Sequence, residues 1–274
     1  MAAKLSPMAL WGLVKELRIA AEDTRPLVIS GPLAAQLEKE LSRGADPGAV
    51  RVDGRPEDAG VFVRVLAGAP SPEDEKVLRA AGRAKVPVVV VQTGTEVFDV
   101  PYVLATEVVT CSPGSGFPVE EIARAIAARI GESGTGLAAR LPIVREPLSA
   151  ALVEKFSRQN AIAAVAIFIP GADFPVLTLN QIRLVLRLAS AHGVEVDQDR
   201  WPEVLATIGA ALGFRTVARQ LLGAIPVAGW LVKGTVAYAG TRAVGEAAHR
   251  YFHSVSPAQD AESAGADPAS RKNP

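Results

Sequence analysis

The chain holds a single cysteine, Cys111, among 274 residues. That excludes an internal disulfide framework and any metal site built from several thiolates, and it suits a reducing, cytoplasmic setting. Net charge is also missing. The 29 basic and 29 acidic side chains cancel, so no global field favours a nucleic-acid backbone and no nucleic-acid partner is expected. Apolar runs of spanning length are absent as well. A transmembrane helix needs about 20 predominantly apolar residues, whereas the runs 159–172, 204–214 and 220–232 stop at Asp173, Arg215 and Lys233. The first 25 residues interleave apolar positions with Lys15, Glu16, Arg18, Glu22 and Asp23, unlike the uninterrupted apolar stretch of a secretory leader. They read as an amphipathic helix whose stripe of Trp11, Val14, Leu17 and Ile19 is expected to pack on the protein.

What is present is 49% hydrophobic content, enough for a sizeable core and for two domains. Residues 26–131 alternate between strand and helix signals. Short β-branched runs stand at Pro26 to Ser30, Val50 to Asp53, Val61 to Ala67, Val86 to Val91 and Glu107 to Thr110, and amphipathic stretches lie between or after them. Ser71 caps one such stretch with Glu73 and Asp74 in its first turn, and Pro118 opens the last. The continuously apolar Val86 to Val91 run suits a strand covered on both faces of a parallel sheet. The expectation is an α/β doubly wound layer, in which ligands sit in the loops that follow the strands.

Those loops carry the weight of any functional reading. After the first strand stands Gly31-Pro32-Leu33-Ala34-Ala35-Gln36-Leu37-Glu38, and after the fourth stands Gln92-Thr93-Gly94-Thr95. The order and spacing resemble a small Ras-like, translation-factor-related GTPase domain, and Cys111-Ser112-Pro113-Gly114 matches that family's last small-residue loop. The resemblance implies G-x-x-x-x-G-K-S/T after the first strand, where backbone N–H groups cradle phosphates and the lysine reaches the terminal phosphates. Only Gly31 fits that pattern. Gln36 and Leu37 replace the second glycine and the lysine, and Glu38 replaces the magnesium-binding hydroxyl with a negative charge. The Gln92 to Thr95 loop stands where the family places its guanine-reading Asn-Lys-x-Asp, and none of those residues is present. GADPGAV is too short to hold a first switch loop. A phosphate-receiver reading needs clustered aspartates and a lysine at these strand ends, and Ser30, Gly31 and Gln92 do not supply them. No catalytic residue and no cofactor is therefore expected.

Strand signals stop at Gly131 to Gly136, the expected domain break, with residues 132–149 leading into a helical region. Residues 150–254 are helical, apolar and rich in glycine, with Thr178 expected to cap a helix that ends at Gly193. The turn IPGADFPVLT, then NQIRLVLRLASAHGV, GFRTVARQLLGAIPVAGW and TRAVGEAAHRYF, resemble the YcjF-like domain of unknown function, often found C-terminal to bacterial small GTPases and in membrane-associated proteins. Asp173 in the turn with Pro170 and Gly171, and Pro226 with Gly229 between later helices, are the positions singled out there, with turn formation as the simpler role of Asp173. Residues 255–274 read as a polar, disordered tail.

The histidines do not make a catalytic set. His192 precedes a helix-ending Gly193, where a ring caps exposed carbonyls. His249 and His253 share a helix face with Glu246, but the constellation lacks a further ligand and no metal site is expected. The expected protein is a non-catalytic, membrane-associated adaptor or regulator with a protein partner and a cytoplasmic location, touching a membrane surface or partly inserted. A divergent nucleotide-binding enzyme and a soluble helical oligomerisation protein are the alternatives.

Overall fold

The structure is a computed structural model, and it describes residues 22–112, 114–166, 174–194 and 230–255, together with helical positions 12, 15, 16, 19 and 20. Chain contacts divide it into two units that meet between Leu152 and Val153. The first is α/β and the second is helical.

The α/β unit follows the strand signals closely. Its elements are β1 (Leu27–Ser30), α1 (Ala34–Leu41), β2 (Val50–Val52), β3 (Val61–Leu66), α2 (Pro72–Arg83), β4 (Val88–Gln92), β5 (Val108–Thr110) and α3 (Val119–Ile130). All five strands are parallel, in the order β2-β1-β3-β4-β5. Both sheet faces are covered, which is why the strands are apolar at consecutive positions. Val28, Phe62, Leu66, Val88 and Val90 pack with Leu78 and Ala81 of α2 in one core. The alternate positions Leu27, Ile29, Val63, Val65, Val89 and Val91 are equally buried and point the other way.

Two features differ from what the sequence suggests. Residues 131–136, expected as a break, form a 3-10 turn (Gly131–Gly134) that runs into α4 (Thr135–Arg140). Thr135, Gly136, Leu137 and Ala138 are buried, and a Cβ on Gly134 would overlap the Ile130 side chain. That glycine serves close packing. The second difference concerns the N-terminal stripe: Ile19 is exposed and its neighbour Ala20 is buried, so the buried side is turned away from Ile19. Trp11, Val14 and Leu17 lie outside the described residues.

In the helical unit, α5 (Pro142–Ala166) leads in from the first unit, and α6 (Phe174–Ala191) and α7 (Trp230–Val255) follow. α6 starts one turn before Thr178, with Pro175 in the first turn, where a missing N–H costs nothing. It ends at His192 and Gly193, whose φ of 70° is the left-handed conformation of a helix C-terminus. Gly234 and Gly245 of α7 face α5 and α6: a Cβ would stand 2.9 Å from Val165 at the first and 2.7 Å from Val153 at the second. These two glycines allow the helices to approach each other.

Candidate functional site

In this strand order the chain leaves β1 for β2 on one side and returns to β3 on the other. The crevice at the carboxyl ends of β1 and β3 is thus the place where doubly wound sheets take ligands. Ser30 ends β1 and pairs in register with Arg64 of β3. Both residues point to the face that α2 covers, because each lies two residues along its strand from a core residue of that face, Val28 for Ser30 and Phe62 and Leu66 for Arg64.

Arg64 is the one charged residue in VFVRVL, and its guanidinium is fully engaged. Nε donates to Asp74 Oδ1 at 2.7 Å, a second nitrogen lies 2.6 Å from the same oxygen, and Nη1 donates to Ser30 Oγ at 3.0 Å. The two side chains are 14% and 11% exposed, so the ion pair is largely screened from water. Asp74 Oδ2 accepts from the Ser71 amide at 2.8 Å and its hydroxyl at 2.6 Å, while the Asp74 amide donates back to Ser71 Oγ. That reciprocal pair is the capping box of α2. Burial opposes ionisation of Asp74, but the Ser71 hydroxyl and amide and the Arg64 guanidinium outweigh it and hold the carboxyl below its ordinary value.

The turn after β1 is closed in a different way. Gly31 adopts φ 101°, and a Cβ there would overlap the Val65 carbonyl oxygen, so only glycine lets the turn pass so close to β3. Leu33 follows with φ 60° and no side-chain cap for α1. A phosphate cradle needs amides directed outward. Here Pro32 has no N–H, the Ala34 amide donates to the Gly31 carbonyl, and the amides of Gln36 and Leu37 donate to the Leu33 carbonyl. Leu37 is wholly buried in the core. Gln36 is exposed. Glu38 accepts from Ser42 Oγ at 3.0 Å, one turn further along α1.

The loop after β4 is anchored at both ends. Gln92 is buried, and its amide group both donates to the Phe98 carbonyl at 2.7 Å and accepts from the Phe98 amide at 3.2 Å. Thr93 donates to the Leu66 carbonyl through its amide and its hydroxyl. Gly94 lies against the Ala67 carbonyl, and Thr95 is exposed. At the far end Glu107 accepts from the Leu104 amide and pairs with Arg129 at 2.9 Å. Between these anchors Val97, Tyr102 and Leu104 are exposed. Tyr102 has φ 67° and is held by Arg79, which donates to its hydroxyl at 2.6 Å and lies over its ring.

Of the sequence-derived positions, Gly31 and Thr93 to Thr95 lie in the loops after β1 and β4, whereas Gln36, Leu37 and Glu38 stand within α1 and Gln92 ends β4. The hydrogen bonds of Glu38 and Gln92 go to separate partners, Ser42 and Phe98. Asp173, Pro170, Gly171, Pro226 and Gly229 lie outside the described residues. Sequence reasoning missed the Arg64 to Asp74 pair. The signal was a lone charge inside an apolar central strand, which requires a buried partner. Burial and the Glu121 and Glu40 carboxylates push the Cys111 thiol up, which disfavours the thiolate. At the opposite, amino-terminal ends of the strands a cleft of about 140 Å³ is lined by Asp23, Arg25, Lys85, Ser133 and Leu137. Asp23 and Arg25 pair with each other there.

In the helical unit a polar hub joins the three helices. Asn160 is buried and donates to Thr241 Oγ1 at 2.8 Å and to the Leu177 carbonyl at 3.2 Å, and its carbonyl accepts from Asn180 at 2.8 Å. His192 Nδ1 lies 2.8 Å from the Leu188 carbonyl, the helix-end contact its place before Gly193 suggests. Its ring is 5.2 Å from that of His249, centroid to centroid. Among the described residues no group of three His, Cys, Asp or Glu is placed to hold a metal ion, and no described helix is long and apolar enough to cross a membrane. No family model and no curated protein matches the chain.

Proposed function

We propose that this chain is a non-catalytic, membrane-associated adaptor or regulatory protein: a Ras-like, pseudo-GTPase α/β unit presents a surface to a protein partner, and a YcjF-like helical unit localises it on the cytoplasmic side of a membrane. The observation that carries this reading is the filled crevice. Where a doubly wound sheet takes its ligand, Arg64, Asp74, Ser71 and Ser30 bond one another, and the amides of Ala34, Gln36 and Leu37 bond nearby carbonyls. A triphosphate would have to compete with Asp74 for Arg64 and with those carbonyls for the N–H groups.

Support for a protein partner comes from the loop after β4. Its anchors fix the backbone while Val97, Tyr102 and Leu104 face solvent, and a rigid loop with an exposed tyrosine and aliphatic side chains suits docking. Cell fractionation of the full chain, combined with chromatography of any nucleotide carried through purification, tests both halves of the proposal. The expected result is protein in the membrane fraction and no co-purified nucleotide. Recovery wholly in the soluble fraction without detergent contradicts the localising role, and stoichiometric bound nucleotide contradicts the non-catalytic one.

A further inference from the structure

The helical unit is polarised from end to end. Gly234 of α7 faces Ala161 and Val165 of α5, and Asn160 reaches both Leu177 and Thr241, so residues 161–166, 174–182 and 230–241 gather at one end. Gly245 faces Val153 and Leu184, and His192 lies against His249, so residues 153–160, 183–194 and 242–255 gather at the other. α5 therefore runs antiparallel to α6 and α7. The second end is charged on all three helices, through Glu154 and Arg158, Arg183 and Arg187, and Arg242 and Glu246. Among the described residues, the first end holds a single charge, the exposed Lys233. Each helix also exposes a branched apolar side chain at that end: Ile162 at 69%, Val176 at 42% and Val232 at 47%.

We infer that this end, whose one described charge is Lys233, seats in the interfacial layer of an anionic bilayer, entering as a cluster of helix ends and not as a spanning segment. The inference rests on the membrane-association reading and adds to it the place and mode of contact. Apolar side chains on three separate helices at one end, with no acidic residue among the described ones there, leave water favourably for the acyl boundary. Lys233 supplies the matching charge, since its stem can lie along apolar surface while the ammonium meets headgroup phosphates. No described helix is suited to spanning, which leaves interfacial seating as the mode that fits.

The test uses the full chain and phosphatidylcholine vesicles with roughly 30% phosphatidylglycerol, enough to give an anionic surface. Ile162→Asp combined with Val232→Asp is compared with Val255→Asp, a matched change at an exposed valine on the charged end. The double variant should lose at least about tenfold in vesicle affinity, with Val255→Asp within about twofold of the parent. If the parent binds and the double variant binds equally well, the place of contact is wrong while membrane association stands. If the parent does not bind, both fall. If the parent is a dimer without vesicles and the double variant is monomeric, the end is a self-association surface and the inference is overturned. A second readout covers a double variant that does not fold. Cys111 is buried, so an environment-sensitive dye can be placed on Ile162→Cys or Val255→Cys. The dye should brighten on vesicles at the first position only, and no change at the first overturns the inference.

Discussion

In the α/β unit, polar side chains gather where a ligand would enter and satisfy one another, whereas among the described residues of the helical unit they form a hub between helices and leave one end with Lys233 as its one charge. Arg64, Asp74, Ser71 and Ser30 close a crevice; Asn160, Thr241 and Asn180 fix how three apolar helices meet. Both arrangements bury polar groups with their partners, as low-dielectric surroundings require. Their consequences differ. The first fills the crevice at the ends of β1 and β3 with side chains that bond one another, and the second gives a glycine-rich, weakly amphipathic unit a defined packing.

The sharpest way to break the first arrangement is Gly31→Ala. A left-handed backbone and an overlap with the Val65 carbonyl act together, and their combined cost should be about 4 kcal/mol in denaturant unfolding of the α/β unit. Asp74→Ala comes next. It strands the Arg64 guanidinium in a largely buried place, for a loss of about 3 kcal/mol, whereas Arg64→Met combined with Asp74→Leu should recover most of that loss. A double variant as unstable as Asp74→Ala alone argues that the pair does more than fill the crevice. In the helical unit Asn160→Ala removes one partner from both Thr241 and Asn180 and should cost about 2 kcal/mol by thermal unfolding.

Acid should separate the units more gently. Asp74 has a folded pKa below its ordinary 3.8, so its contribution is fully present above that value and is lost as pH falls through the depressed one. An acid titration followed by circular dichroism should show the parent losing α/β stability below pH 3.8, with a shallower loss in the Arg64→Met, Asp74→Leu variant. The smallest effect is at the surface. Arg242 pairs with Glu246 in the open, and Arg242→Gln should leave the unfolding midpoint unchanged.

Much of the sheet was legible because buried parallel strands must be apolar at consecutive positions. PLVIS, VFVRVL and VVVVQ announce themselves without help from distant residues. The Ser71 cap was equally local. What the sequence hid was non-local. Residues 131–136 look like a flexible break because three of the six are glycine, yet the chain turns there against Ile130 and continues into the same unit. The partner of Arg64 lies ten residues away on a helix whose cap already accounted for Asp74, so one carboxylate serves two roles and spacing revealed only one. That Gln36, Leu37 and Glu38 depart from a phosphate-loop pattern is readable from the residues alone. That the amides of Ala34, Gln36 and Leu37 bond nearby carbonyls is not, since it depends on the backbone angles of Gly31 and Leu33.

Calorimetric titration of magnesium GTP and magnesium ATP into the full chain tests the closed crevice most directly. The account predicts no heat of binding beyond dilution at ligand concentrations up to about a millimolar. Saturable binding of either nucleotide at micromolar affinity, abolished by a substitution at Ser30 or Arg64, would contradict it.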